Sequence, residues 1–554
     1  MCGFFGVIFK NSNDFSIDSL LLNARPILET RGPDHWETVL FEDGVLASAR
    51  LEIRGAEEGK QPIQIEAEKW LAYNGEIYNF ESLDSTYDNL LSDTYHLADY
   101  LKNKKDIAKL DGMFAFSISS QDEVVLIRDR FGIKPLFYIN TQDYFAWSSD
   151  ARALFPLVKK QLSKKVMAKY MAFNYLPGND HIFSDIKKVP PGYKVVFKKS
   201  KNELCFERYA DITDGSKDQL KGQLNLAIKI QTSLGKREHG VYFSGGMDST
   251  LLALYSKDLK PSLFHVHFEE SVYSEHEKAL EMAKKMELSL HQTTFTAKDF
   301  IHYLPEFVKG MPSPLADPGH YPLWKLNKWI KENHKAKYLL SGDGADELFC
   351  GYQTFAATWI HQKITHLPMS MRSFLAHLNL PLGSINETKI GIDYKINKFL
   401  SGANLPSDIA HFFWRNVFHP EQISLLIESE MTFTSLFEDY FTALDEGKKR
   451  FGNDNINSLL YADMKTWLVD NNLYKVDHAS SSFGLEARVP YLSNDLVSTA
   501  FSIPGKDKFK LIKNKPQLRR ILEKELPAEC LKNKSPFQPP YQKWFQNELY
   551  QFAK

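Results

Sequence analysis

Cysteine is scarce in this chain: 554 residues hold four, Cys2, Cys205, Cys350 and Cys530. They lie far apart and form no CxxC pair, which argues against a disulfide framework or a structural zinc site and suits a reducing cytosol. Net charge is also lacking, since 68 Lys and Arg stand against 69 Asp and Glu for a formal −1. Global charge therefore offers nothing to a nucleic acid or an anionic membrane, and neither is expected as a partner. No run is long and apolar enough to span a bilayer. The opening MCGFFGVIF is apolar but has no basic leader or cleavage region, so it is not read as a signal peptide, and a cytoplasmic location is expected. What remains, 43% hydrophobic and 25% charged, is an ordinary globular composition. The length is too great for one core, and two to four domains are expected.

One further absence is local. In VYFSGGMDSTLLALY, Val241 to Tyr255, a short apolar strand runs through Gly245 and Gly246 into an apolar helix with Asp248 and Ser249 in its first turn. Outward N–H groups and the helix dipole make such a turn an anion site. The usual phosphate loop continues with a lysine, which is missing here, and Asp248 stands in its place. A carboxylate beside a phosphate cradle is repulsive unless a divalent metal lies between them, so the stretch predicts a metal-bound polyphosphate. The plainer reading is a glycine turn that packs a strand on a helix.

Up to about residue 210 the chain reads as β-rich. Apolar or alternating runs recur at Phe4–Phe9, Val39–Phe41, Val45–Ala49, Trp70–Tyr73, Met113–Ile118, Val124–Ile127, Leu136–Ile139 and Tyr144–Trp147, with a last strand near Cys205–Tyr209. Helical stretches at Ser19–Leu28 and Asp93–Asn103 interrupt them, which predicts a layered α+β domain with two packed sheets. Beyond a boundary near Asp211, strands alternate with helices, predicting a doubly wound parallel α/β sheet with ligands at the carboxyl ends of its strands. The opening glycine stretch lies at one such end. Ser341-Gly342-Asp343-Gly344-Ala345-Asp346-Glu347, after the strand Lys337–Leu340, lies at another. Two acidic glycine loops at neighbouring strand ends bring Asp248 and Asp346 together as a Mg²⁺ site facing a polyphosphate.

Cys2 follows the initiator methionine. Once that methionine is removed, its thiol lies beside a free α-amino group able to act as its base. Read alone, Cys2 is a buried residue at a strand start. Downstream come Arg31-Gly-Pro-Asp34, Arg50-Leu51, Asn74-Gly75-Glu76-Ile77-Tyr78-Asn79, Ser92-Asp93 and RDRFGIKPLFY from Arg128 to Tyr138. In this order they resemble the glutaminase domain of class II glutamine amidotransferases, N-terminal-nucleophile hydrolases of four-layer αββα architecture. The resemblance implies that Cys2 attacks the glutamine amide, that Asn74 and the Gly75 N–H form an oxyanion hole, that Arg50 holds the glutamine carboxylate, and that Glu76 and Asp93 lie near its amine. These types suit that chemistry: an amide and an N–H meet a developing oxyanion, and a zwitterion needs one cation and one anion.

SGGMDS, PLADPGHYPLWKLNKWI, SGDGADELFCGY, LYKVDHASSSFGLEARVPYL and NKPQLRRIL resemble the synthetase domain of the asparagine synthetase B family, of ATP-pyrophosphatase fold with helical additions. This implies a glutaminase domain over 1–210 and a synthetase domain over 211–554. It also implies ATP with its pyrophosphate on Ser244, Gly245, Gly246, Asp248 and Ser249 and on Ser341, Gly342 and Asp343, with Mg²⁺ on Asp248 and Asp346. A substrate carboxylate then attacks the α-phosphate, ammonia displaces AMP, and Lys515, before the helix that Pro516 opens, supports the adenylate step. Asp343 stands where many asparagine synthetases have glutamate, and Cys350 where glycine is usual. His265 and His267 share one strand face and are read as packed or solvated, not metal-bound. Residues 353–457 read as a helical cap whose aromatic stripe His411–Trp414 is core. Glu486 and Arg488 read as a buried ion pair, with acceptor binding by Arg488 rated lower.

The leading expectation is a ligase that uses glutamine, ATP and a carboxylate, L-aspartate by default, to give glutamate, AMP, pyrophosphate and an amide. Another acceptor, such as a sugar uronic acid, is the alternative. A silent homologue is the third, against which intact Cys2, Asn74, Asp93, Asp248, Asp346 and Lys515 argue. A homodimer is allowed for, with no residue to carry it.

Overall fold

The computed structural model describes residues 2–11, 16–55, 57–83, 88, 91–216, 219–233, 238–270, 272–378, 392–510, 514–526 and 537–554, so Cys530 lies outside the described residues. The strands of the first half are β1 (Gly3–Phe9), β2 (His35–Phe41), β3 (Gly44–Arg50), β4 (Ile63–Glu66), β5 (Lys69–Ile77) and β6 (Gly112–Ser119). They continue with β7 (Glu123–Arg128), β8 (Phe137–Asn140), β9 (Tyr144–Ser148), β10 (Ile186–Lys188), β11 (Tyr193–Lys198) and β12 (Glu203–Arg208). Two antiparallel sheets result, in the orders β10-β8-β9-β1-β3-β2 and β12-β11-β7-β6-β5-β4.

Both faces of the central strands β1, β3 and β9 are buried, which is why these read as largely apolar runs, whereas the edge strands β2 and β12 are half-buried or exposed. Between the sheets, Phe4, Leu46, Phe145 and Trp147 meet Ala72, Ala115, Leu126 and Val195 in one cluster. On the outer faces, the helix Ile17–Arg31 places Leu20, Ala24 and Leu28 on the first sheet, and Asp93–Lys102 places Leu97 and Tyr100 on the second. The order helix, sheet, sheet, helix is the four-layer αββα arrangement. Its strands outrun their apolar cores: β5 continues through polar Asn74, Gly75 and Glu76, because the ladder to β6 pairs Asn74 with Ala115 and Gly75 with Phe114.

The second half forms a parallel sheet, β15-β14-β13-β16-β17, from β13 (His239–Tyr242), β14 (Ser262–His267), β15 (Leu290–Thr294), β16 (Tyr338–Leu340) and β17 (Glu486–Arg488). Successive strand residues alternate between two cores. Leu263 and Leu340 enter one, while Phe264 and Leu339 enter the other. The first of these cores also takes in Met113, Phe131, Ile133 and Phe173, so the two halves share a continuous apolar interior.

β4, β10, β11, β15 and β17 went unread in the sequence. LHQTT carries almost no apolar signal, and Glu486–Arg488 is too short and too charged to register as a strand. A continuous helical rod runs from Asn455 to Ser481, and its middle, Met464–Leu473, is π-helical. Within 353–457 the described residues are largely helical, and His411, Phe412 and Phe413 are buried as core. No described helix is long and apolar enough to cross a membrane.

Candidate active sites

Strand pairing creates the first site. Antiparallel β1 and β3 pair Gly3 with Ala49, which sets the next residues out, Cys2 and Arg50, side by side at one end of the sheet. β5 of the other sheet brings Asn74 and Gly75 opposite. The Cys2 main-chain N–H donates to Asn74 Oδ1 at 3.0 Å, which leaves Asn74 Nδ2 buried with no partner. A buried unpaired donor is costly, so one held beside a nucleophile is a donor waiting for an acceptor. Gly75 has φ +150, and a Cβ there would lie 2.0 Å from the Met113 carbonyl oxygen, so only glycine fits.

A small cavity is lined by Cys2, Arg50, Tyr73, Gly75, Glu76 and Asp93. Arg50 Nη2 donates to the carbonyls of Arg54 and Gly55 at 2.9 and 3.0 Å. Tyr73 Oη donates to Asp93 Oδ2 at 2.6 Å. Burial pushes the Cys2 thiol and the Asp93 carboxyl above their ordinary values. Glu76 reaches the cavity wall, but its oxygens are occupied: Arg54 Nη1 donates to Oε1 and Arg488 Nη2 to Oε2, both at 3.2 Å. Asp93 is held as well, its Oδ1 accepting from the Thr94 N–H at 3.0 Å.

The second half reaches into this site. Glu486 lines the same cavity, and Arg488 bonds Glu486 Oε1 at 2.8 Å as well as Glu76. Arg31 spans the same junction, with Nε donating to the Cys2 carbonyl at 3.4 Å and Nη2 to Asp477 Oδ2 at 3.0 Å. These contacts escaped the sequence reading because each partner lies about 400 residues away. The RGPD run flagged Arg31 without a role.

The second site lies at the carboxyl ends of β13 and β16. Gly245 has φ +67, and a Cβ there would sit 2.9 Å from the Ala279 Cα, so the turn into the helix Met247–Tyr255 needs glycine. Ser244, Gly246, Asp248, Ser249, Ser341, Gly342, Asp343 and Asp346 line one pocket. Ser341 Oγ donates to Asp343 Oδ2 at 2.5 Å. Lys515, held at φ 49, places Nζ 2.7 Å from Asp248 Oδ2 and 2.5 Å from Asp346 Oδ1. Two carboxylates converging on one cation are a hard-oxygen pair that fits Mg²⁺, which takes one or two carboxylates and fills its shell with phosphate and water. Among the described residues, no group of three or more His, Cys, Asp and Glu is placed to hold a metal.

Sequence reading also missed the far wall of this pocket. Glu347 is buried, accepts from Tyr352 Oη at 2.6 Å and from Asn472 Nδ2 at 2.9 Å, and burial next to Asp346 pushes its carboxyl up to about 7. Lys475, on the same helical rod, lines the wall and bonds Asp317 at 3.1 Å. His265 and His267 are parallel rings 6.2 Å apart, and His265 Nδ1 donates to the Phe243 carbonyl at 2.8 Å.

A nucleophile-bearing αββα domain joined to a parallel α/β domain with an acidic glycine-loop pocket is the architecture of a glutamine-dependent carbon–nitrogen ligase. Residues 1–210 match the glutamine amidotransferase domain family, and residues 219–554 match the family described as asparagine synthase. The chain belongs to the asparagine synthase family. It is 29% identical to asparagine synthetase [glutamine-hydrolyzing] 1 of Bacillus subtilis over 100% of this chain and 89% of that one. It is 25% identical to a putative asparagine synthetase [glutamine-hydrolyzing] of Mycobacterium bovis over 97% and 86%. Among solved structures, a glutamine phosphoribosylpyrophosphate amidotransferase from B. subtilis matches at 14% identity with a TM-score of 0.28, covering 62% of this chain and 82% of that one, too low to add to the fold.

Proposed function

We propose that the chain hydrolyses glutamine at Cys2 and uses the ammonia to amidate L-aspartate activated by ATP at the second pocket. The observation that carries this reading is the buried, unpartnered Asn74 Nδ2 beside Cys2. The Cys2 thiolate attacks the side-chain amide carbon, and Asn74 Nδ2 with the Gly75 N–H meets the oxygen as it gains charge. The Cys2 α-amino group, having taken the thiol proton, gives it to the departing nitrogen, so ammonia leaves, and water cleaves the thioester to glutamate and the free thiol. In the second pocket, the acceptor carboxylate attacks the α-phosphate of ATP and pyrophosphate departs from the Ser244–Ser249 loop. Ammonia then attacks the acyl carbon and AMP leaves. Mg²⁺ on Asp248 and Asp346 would neutralise the phosphate charge that these carboxylates otherwise repel. Lys515, which lies between the same two carboxylates, would shift onto the α-phosphate.

Relatives named asparagine synthetase support aspartate as the acceptor. The test is Cys2→Ala, which should lose asparagine formation from glutamine while keeping it from free ammonia. Glutamine-dependent product from that variant would sink the nucleophile assignment. If ammonia-dependent AMP release needs a different carboxylate, the acceptor assignment fails and the two-site mechanism stands.

A further inference from the structure

We propose that Gln61 is a further catalytic residue of the glutaminase cavity: its side-chain amide donates to Cys2 Sγ and holds the nucleophile in its attacking position. The inference rests on the reading of Cys2 as the nucleophile.

Gln61 is 3% exposed and lies just before β4, beside the cavity. Its Oε1 accepts from the Tyr73 N–H at 2.7 Å. That bond decides which way the amide faces. Turned over, the NH₂ would confront the N–H donor, and a buried backbone donor would lose its acceptor. With Oε1 toward Tyr73, Nε2 faces Thr94 Oγ1 at 3.1 Å and Cys2 Sγ at 3.8 Å, a distance suited to a large sulfur acceptor. The two N–H bonds of the amide thus have two acceptors, and the group has no freedom to point elsewhere.

Tyr73 is the residue before Asn74 on β5, so one short stretch of strand orients both amides around Cys2. Asn74 holds the cysteine main-chain nitrogen through Oδ1, and Gln61 reaches the sulfur through Nε2. A donor on sulfur gains strength whenever charge collects there. This happens twice in the reaction: when the thiolate forms to attack the amide carbon, and when the thioester C–S bond breaks and sulfur leaves again as thiolate. Arg50 and Asp93 face the same thiol from β3 and the neighbouring helix, Arg50 favouring the thiolate and Asp93 opposing it. The neutral amide adds stabilisation on one side.

The test uses full-length protein and iodoacetamide, with alkylation at Cys2 followed by peptide mass spectrometry across pH. In the unsubstituted protein, alkylation of Cys2 must abolish glutamine hydrolysis and spare ammonia-dependent AMP formation; otherwise Cys2 is not the nucleophile and the underlying reading fails. Gln61→Glu keeps the volume and the acceptor for Tyr73 while replacing the donor toward sulfur. It should slow Cys2 alkylation at pH 7 at least tenfold, as expected for loss of one hydrogen bond to a charged group, and move the profile to higher pH. The turnover number for glutamine hydrolysis should fall by at least as much, with ammonia-dependent turnover unchanged. Gln61→Leu, which adds no charge, should shift the profile in the same direction by less. Alkylation profiles that superimpose on the unsubstituted protein in both variants overturn the proposal. So does a parallel loss of ammonia-dependent turnover, because the residue would then be holding the fold.

Discussion

Replacing Arg488 by Met tests the junction between the two sites. Arg488 is fully buried on β17, and its carbonyl accepts the Ser341 N–H at 2.8 Å, directly behind the nucleotide loop. Its guanidinium donates to Glu486 at 2.8 Å, to the Gln231 carbonyl at 2.5 Å and to Glu76 at 3.2 Å, and lies 4.0 Å from the Tyr338 ring centroid. Methionine keeps the backbone contact and much of the packing on Tyr338, but removes the cation from two buried carboxylates. Breaking a buried ion pair costs about 3–5 kcal/mol, and stranding a carbonyl about 1–3 kcal/mol. Glu76 retains Arg54 as a partner, so a net loss of about 4 kcal/mol is expected. Adding Glu486→Gln should return at least about 1 kcal/mol, since the buried carboxylate that Arg488 bonds at 2.8 Å is then removed. Urea unfolding of both single variants and the double variant, followed by tryptophan fluorescence, measures this. A loss below about 1 kcal/mol for Arg488→Met, or strict additivity of the two changes, would refute the account of the junction.

Asp248→Asn should stop pyrophosphate release with either nitrogen donor while glutamine hydrolysis persists, and unchanged release would remove the metal role. Gly245→Ala, forced into φ +67 against the Ala279 backbone, should displace the loop and raise the KM for ATP about tenfold, given about 1–2 kcal/mol of left-handed strain; an unchanged KM would show that the loop does not hold the nucleotide. Asp111, which accepts from the Asn494 N–H at 3.1 Å across the domain junction, is pushed by burial up to about 6. Its folded pKa lies above the unfolded one, so its contribution is full below about pH 4 and is lost as pH rises to about 6. The loss is at most about 3 kcal/mol and smaller because the side chain is partly exposed. Asp111→Asn should therefore be more stable at pH 7 and flatter between pH 4 and 6; a stability difference that does not change with pH would overturn this.

Legibility followed the range of the interaction. Glycines with forced conformations, the acidic loop ends and the reactive cysteine announce themselves locally, since a turn or a helix start needs its own residues in sequence. Glu76 shows where this stops. The resemblance sets it near the glutamine amine, and nothing local shows that its carboxylate also meets Arg54 and Arg488, the latter more than 400 residues downstream. β15 and β17 were unreadable for a related reason: a strand paired on a parallel sheet draws its stability from its neighbours, and neither LHQTT nor Glu486–Arg488 has enough apolar content of its own.

From the sequence alone came two domains of different pattern, a cysteine directly after the initiator methionine, and a glycine turn in which an aspartate replaces the usual lysine. These are properties of neighbouring residues, and short-range sterics and charge dictate them. The tertiary structure decided which charges meet. It sets Lys515 between Asp248 and Asp346, turns Gln61 toward sulfur through a Tyr73 N–H, and carries Glu486 and Arg488 of the second half into the wall of the first site. Those pairings depend on desolvation and on strand register, and both exist only once the two halves close on a common core.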